Sequence, residues 1–229
     1  MPTMTEDQAT SHCNKMINTP DRAFMSLIIV RNGASCLKDC YRMHQELYTA
    51  FPRSAGKMKI MFRVEDMGSH SVIIVQSPME PRWEEAMQRT RREGFLQFCV
   101  KDAKEVRSVY PVGTTLKFRV RAHPYKYAGA DDSRDTRKPR MPIAFDEYPS
   151  WFERRGLLHG FDVDTLQVDP MLLVYGFQWR KENPLTFCNA MFSGVLRVTN
   201  SDHFSKAVLG GIGPGKSFGL GLLTVEASK

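Results

Sequence analysis

No apolar run in the 229-residue chain approaches the roughly 20 residues that a helix needs to cross a bilayer; stretches such as Met25–Val30 stop far short. The first 22 residues are polar and hold no apolar segment of a secretion signal, so a cytoplasmic protein without membrane contact is expected. Cysteine is sparse and odd in number: Cys13, Cys36, Cys40, Cys99 and Cys188 follow no disulfide-framework spacing. Cys36 and Cys40 lie four apart, but no second Cys/His pair with zinc spacing accompanies them, and His12-Cys13 has no further ligand beside it. Reduced thiols and no bound metal or cofactor are therefore expected. Also missing are G-x-S-x-G, H-E-x-x-H and any D-x-D pair with the surroundings of a metal site. What the chain does have is positive charge, 32 Lys and Arg against 25 Asp and Glu, or +7. That balance suits an acidic partner, most often nucleic acid or a membrane surface, and equally suits a plain basic surface.

Pattern reading gives an order of elements. Residues 1–22 read as a flexible leader. Ala23–Arg31 is a β-rich run, and Leu37–Phe51 is a helix closed by Pro52, with Cys40, Met43, Leu47 and Ala50 as its core stripe. Strands over Lys57–Val64 and Ser71–Gln76, a helix over Pro81–Arg91 and a strand over Phe95–Val100 complete β-α-β-β-α-β. The second half repeats the order. It has a strand at Thr115–Ala122 whose Lys117, Arg119 and Arg121 alternate with Leu116, Phe118 and Val120. A polar loop to Arg140 and a helix over Tyr148–Leu157 follow, then strands Met171–Trp179 and Thr186–Val198 around the tip Arg180–Pro184. A helix over Asp202–Leu209, capped by Ser201 or Asn200, and a strand over Ser217–Val225 end the series. The expected fold is α+β, two tandem ferredoxin-like domains, at 23–106 and 107–229.

Gly210-Gly211-Ile212-Gly213-Pro214-Gly215-Lys216-Ser217 satisfies the G-x-x-x-x-G-K-[ST] pattern of a phosphate-binding loop. Its context is inverted, because a helix leads in and a strand leads out, whereas the motif needs a helix N-terminus facing the phosphates. A nucleotide-dependent switch is thus disfavoured. A glycine-dense stretch next to Lys216 still lets backbone amides approach a polyanion, and it equally makes a tight helix-to-strand turn.

Tyr41, His44 and Tyr48 fall at i, i+3 and i+7, so they share one helix face beside the core stripe. A histidine between two phenols on a wet face can move protons near neutral pH. A plain surface histidine with two half-buried tyrosines fits that spacing as well.

Several segments taken together resemble one family. Phe118-Arg119-Val120-Arg121-Ala122-His123-Pro124 is similar to the F-R-L-R-A-N-P strand of the CasE family, the CRISPR-repeat endoribonucleases that process guide RNA for type I-E Cascade. Lys138–Pro142 resembles the basic, proline-ended loop after it, and Trp151–Gly156 the W-L-x-R-x-G helix. Phe192–Val198 resembles F-x-G-x-L-x-V, and Gly211–Leu223 the terminal G-I-G-x-x-K-x-x-G-x-G-L-L. Tyr41-Arg42-Met43-His44 matches the Y-x-M-H of the family's catalytic helix. The resemblance runs in order from Ala23 to Val225. It departs from the family in the long leader and in His123, which stands where Asn is usual.

The resemblance implies metal-independent cleavage of a CRISPR repeat RNA hairpin by 2′-OH attack, leaving a 2′,3′-cyclic phosphate and a 5′-OH. It implies His44 as general base or acid, with Tyr41 orienting the reacting groups or sharing the proton transfer. It implies that the product is retained and that the chain joins other Cascade subunits. Candidate RNA contacts are Arg119 and Arg121 on their strand, Lys138 and Arg140 in the loop, and Arg180 and Lys181 at the hairpin tip. Gly213, Gly215, Lys216 and Ser217 would clamp the backbone. The alternative is a non-catalytic RNA-hairpin-binding subunit with the same fold.

Overall fold

A computed structural model describes residues 20–31, 35–52, 58–90, 98–99, 103–128, 140–178 and 182–228. Most of the leader, Lys138, Arg180 and Lys181 lie outside the described residues. The described chain is α+β with two main antiparallel sheets and a two-stranded ribbon.

In the first half, β1 (Phe24–Arg31) is followed by a 3-10 turn (Ser35–Lys38) and helix α1 (Cys40–Tyr48). Then come β2 (Met61–Asp66), β3 (His70–Ser77), helix α2 (Trp83–Thr90) and the short β4 (Phe98–Cys99) and β5 (Lys104–Glu105). The sheet order is β2-β3-β1-β4, with β5 also pairing β1. β1 runs against β3 from Phe24 opposite Ser77 to Arg31 opposite His70, without a slip. Ile28, Val30, Ile73 and Val75 thereby share the face on which Met43 and Leu47 of α1 pack, in one buried cluster. Ala50 is buried with them, completing the helix stripe read from sequence.

The second half starts with β6 (Thr115–Ala122), its alternation realised as buried Leu116, Phe118, Val120 and Ala122. A small ribbon pairs β7 (Tyr125–Tyr127) with β8 (Arg140–Pro142). Helix α3 (Tyr148–His159), strands β9 (Phe161–Gln178) and β10 (Asn183–Val198), helix α4 (Ser201–Gly210) and β11 (Leu223–Ala227) complete it, in the sheet order β11-β6-β10-β9. A separate, aromatic-rich core stacks Phe152 between Phe118 and Phe192, with ring centroids 5.2 and 4.8 Å away.

Three expectations need correction. The hairpin arm is longer than Met171 and Thr186 suggested: Pro170 lies inside β9, opposite Ala190, because β9 is an edge strand and need not donate there. Asn183 and Pro184 pair with Gln178 and Phe177, so they belong to β10 and not to the tip. The last strand begins at Leu223 and not at Ser217. Residues Lys216–Phe218 form a 3-10 turn, and Gly219 and Gly221 take left-handed φ of 84° and 82° that no strand accommodates.

Candidate functional site

Helix α1 begins with a built cap. Asp39 Oδ1 accepts from the amides of Tyr41 at 2.8 Å and Arg42 at 3.1 Å, satisfying donors the helix start would leave open. The same oxygen accepts from the Phe177 amide of β9 at 3.4 Å, so the cap also fastens the hairpin arm. Gly176 makes that approach possible, since a Cβ there would stand 2.6 Å from Cys40 Sγ.

One turn on, the His44 ring lies 4.4 Å from Tyr48, whose hydroxyl donates to the Met58 carbonyl. Phe218, from the glycine-rich segment of the second half, approaches both His44 (6.1 Å) and Tyr41 (6.5 Å) and stacks on Phe187 of β10 at 5.5 Å. The helix face read as wet is therefore half-buried between the two halves. Burial lowers the His44 pKa below its ordinary 6.5, against a hydrogen bond to the Ser217 main chain that favours the charged ring.

The glycine-rich segment is held rigidly. Ile212 N–H donates to Gly221 O at 2.8 Å and Gly221 N–H to Arg121 O at 2.6 Å. Gly211, at φ 71°, sits where a side chain would collide with Gly221 O and Met61 Sδ. Gly213 lies over Trp151, and Gly215 precedes the 3-10 turn that presents Lys216 and Ser217. Burial pulls the Lys216 pKa from 10.5 to about 8, helped by the nearby charges of Lys59 and Arg155. Lys216 thus lies near the charges of Lys59 and Arg155, next in the chain to Ser217, whose main chain meets His44. Such a cluster is suited to a phosphate.

The other candidates are spread more widely. Arg119 is bidentate to Glu65 of β2 (2.9 and 3.0 Å), and Arg121 Nε donates to Asn189 Oδ1 at 2.6 Å, so both have partners within the chain. Arg140 is exposed and lies over the Tyr125 ring at 5.2 Å, with Arg155 at 5.5 Å from that ring. His123 donates from Nδ1–H to Cys188 O, 2.5 Å away, and stacks on Tyr125. Sequence reading missed Phe218, Phe187, Lys59 and Arg155 as site residues. Phe218 could have been found beside Ser217, but Lys59 carries no local signal. Among the described residues no three His, Cys, Asp or Glu side chains converge as a metal site would require, and no helix is long and apolar enough to cross a membrane.

A family model described as CRISPR associated protein matches residues 17–227. The CRISPR-associated endoribonuclease Cse3 of Thermus thermophilus is 29% identical over 204 residues, spanning 82% of this chain and 90% of its own. The CRISPR system Cascade subunit CasE of Escherichia coli K12 is 26% identical over 215 residues, spanning 88% and 98%. A solved structure of Cse3 bound to a 19-nt RNA matches with a TM-score of 0.72 at 25% identity, over 90% of this chain and 100% of that one. Family model, relatives and fold agree: the chain belongs to the Cse3/CasE family of CRISPR-associated proteins.

Proposed function

We propose that the chain is a metal-independent endoribonuclease that cuts CRISPR precursor RNA at the repeat hairpin, keeps its product and joins a Cascade-type complex. The observation that carries this is the juxtaposition of His44, from the first half, with Ser217 and the half-buried Lys216, from the second. A proton-transfer group and a phosphate-binding group meet at one place. Neutral His44 takes the proton of the ribose 2′-OH as its oxygen bonds to phosphorus. The P–O5′ bond breaks, leaving a 2′,3′-cyclic phosphate, and the departing 5′ oxygen takes up a proton from water or from the protonated His44. Tyr41, on the same helix face, orients the reacting groups or shares that transfer. Lys216 offsets charge on the non-bridging oxygens.

RNA contacts in this reading come from Lys216, Gly213, Gly215 and Ser217 at the cut. Arg140, Lys138, Arg180 and Lys181 act along the stem, and Arg119 and Arg121 where their partners leave them exposed. The two halves, each β-α-β-β-α-β with its four main strands in the order 4-1-3-2, are read as tandem ferredoxin-like units, 23–106 and 107–229, acting in the cytoplasm. The CRISPR associations of the relatives support repeat RNA and Cascade subunits as partners.

The test is cleavage of the cognate repeat hairpin in EDTA by wild type and His44→Ala. Cutting by wild type alone, with cyclic-phosphate ends, is expected. A magnesium requirement, or cutting that survives His44→Ala, overturns the mechanism. Tight hairpin binding without cutting by either protein reveals a binding subunit instead.

A further inference from the structure

The face of the first sheet turned toward the second half carries a buried charge that the cutting chemistry does not use. Arg63 of β2 is 2% exposed. Its Nε donates to Glu65 Oε1 at 2.7 Å; Nη1 donates to Arg119 O at 2.8 Å and Leu222 O at 3.1 Å; Nη2 donates to Thr224 Oγ1 at 2.9 Å. Glu65 in turn holds the Arg119 guanidinium by both oxygens. Arg119 and Thr224 stand opposite each other in the β6–β11 ladder, so Arg63 grips one rung of the second sheet. On the adjacent strand, buried Gln76 donates from Nε2 to Val208 O (2.9 Å) and Leu209 O (3.2 Å), carbonyls at the open end of α4.

These contacts bracket the glycine-rich segment. Gln76 holds the chain just before it, and Arg63 holds Leu222 just after it. On the first-half side, Met58, whose carbonyl accepts from Tyr48, lies just before β2, and the Tyr48 ring meets the His44 ring at 4.4 Å, tilted by 55°. The contacts close a ring: His44, Tyr48, Met58, β2 with Arg63, Leu222, and back through the segment to Ser217 and His44.

An apolar interface of the same size would bury as well and could slide. A guanidinium fork cannot, because its donors point along fixed directions. Burying an ion group contributes little net stability compared with apolar packing. We propose that Arg63, with Glu65 and Gln76, is the positioning element that sets His44 in register with Lys216 and Ser217, resting on the assignment of the cut to His44. Displacing reacting groups by about 1 Å costs on the order of 100-fold in rate.

The experiment compares Arg63→Met, Arg63→Lys and Thr224→Val with wild type in three measurements. These are single-turnover cleavage at saturating protein, affinity for a hairpin with 2′-deoxyribose at the cut, and hydrogen exchange of the RNA-free protein. Expected for both Arg63 variants is a cleavage loss of about 10- to 100-fold with affinity changed less than about threefold. Thr224→Val, which keeps the ion group and removes one acceptor, should show a smaller loss of the same kind. Amides of residues 211–224 should lose protection selectively. Cleavage at the wild-type rate in Arg63→Met, full activity in Arg63→Lys, or protection lost evenly over the whole chain overturns the proposal. If wild type does not cut at all, the reading of the function has failed, and the exchange data alone still decide whether Arg63 fixes the segment.

Discussion

Helices α1 and α3 occupy the same position in the two halves, each between a half's first and second long strands, and each buries an apolar stripe on its own sheet. Beyond that stripe they differ. Helix α1 buries Cys40, Met43 and Leu47 and leaves Tyr41 and His44 on the side facing the other half, with Tyr48 beside His44. Helix α3 buries Tyr148, Trp151, Phe152 and Gly156, and its Arg155 lies over Trp151 and Tyr125. In the proposed mechanism the first half supplies the group that moves protons, and the second supplies cations and a glycine-rich turn. Two halves of the same strand order would on that reading separate cutting from holding, and the chemistry would depend on how the halves meet.

The sharpest way to break that comparison is to remove one group from each half. His44→Ala should lower single-turnover cleavage by about 10²- to 10⁴-fold, the usual weight of a positioned acid–base group, with hairpin affinity within about twofold of wild type. Lys216→Ala should weaken both cleavage and affinity, because in the proposed site its charge meets the phosphate before and during reaction. Filter binding of a 2′-deoxy hairpin beside quenched-flow cleavage separates the two patterns. Equal loss of affinity in both variants would show that no such division exists.

The pH profile should carry one limb from each half. His44, its pKa lowered by burial, is neutral and able to accept a proton down to values below 6.5. The acid limb of kcat/KM, which reports the free enzyme, should therefore have its midpoint below 6.5. Lys216, near 8, loses its charge as pH rises through that value, so hairpin binding and kcat/KM should fall above it. Lys216→Arg keeps the charge and should remove the alkaline limb while the acid limb stays. The same shifts act on stability. Both groups bind protons more weakly folded than unfolded, so each destabilises the fold as pH falls through the window between its unfolded and folded values.

How far the sequence discloses this site follows from the range of each contact. The core stripe of α1, the β6 alternation and the shared face of Tyr41, His44 and Tyr48 are local periodicities, and they are legible. The wetness of that face is not, because Phe218 covers it from 174 positions away. The distance is a matter of topology and leaves no trace in local spacing. Arg119 and Arg121 read as a free basic row for the same reason: alternation tells which side of a strand they take, and only the sheet packing brings Glu65 and Asn189 to them. Ser217–Val225 read as a strand because Leu220, Leu222 and Val225 suit one, while the left-handed glycines that interrupt it accompany the close approach of Ile212 and Gly221.

The smallest effect is the most discriminating, because two caps of equal local worth serve different halves. Asp39 caps α1 through the amides of Tyr41 and Arg42, and Asn200 caps α4 through the amide of His203 at 3.0 Å. Replacing either by Ala should cost about 1 kcal/mol, read as a shift of the denaturation midpoint. Asp39 also receives the Phe177 amide, so its loss loosens the hairpin arm against the helix that carries His44. Asp39→Ala should accordingly slow cleavage several-fold per folded molecule, and Asn200→Ala should not. Asp39→Asn, which keeps an oxygen for the cap, should recover most of the rate. If the two Ala variants cut equally well once corrected for the folded fraction, the cap of α1 is a stability device like that of α4, and the hairpin arm is placed by its packing alone.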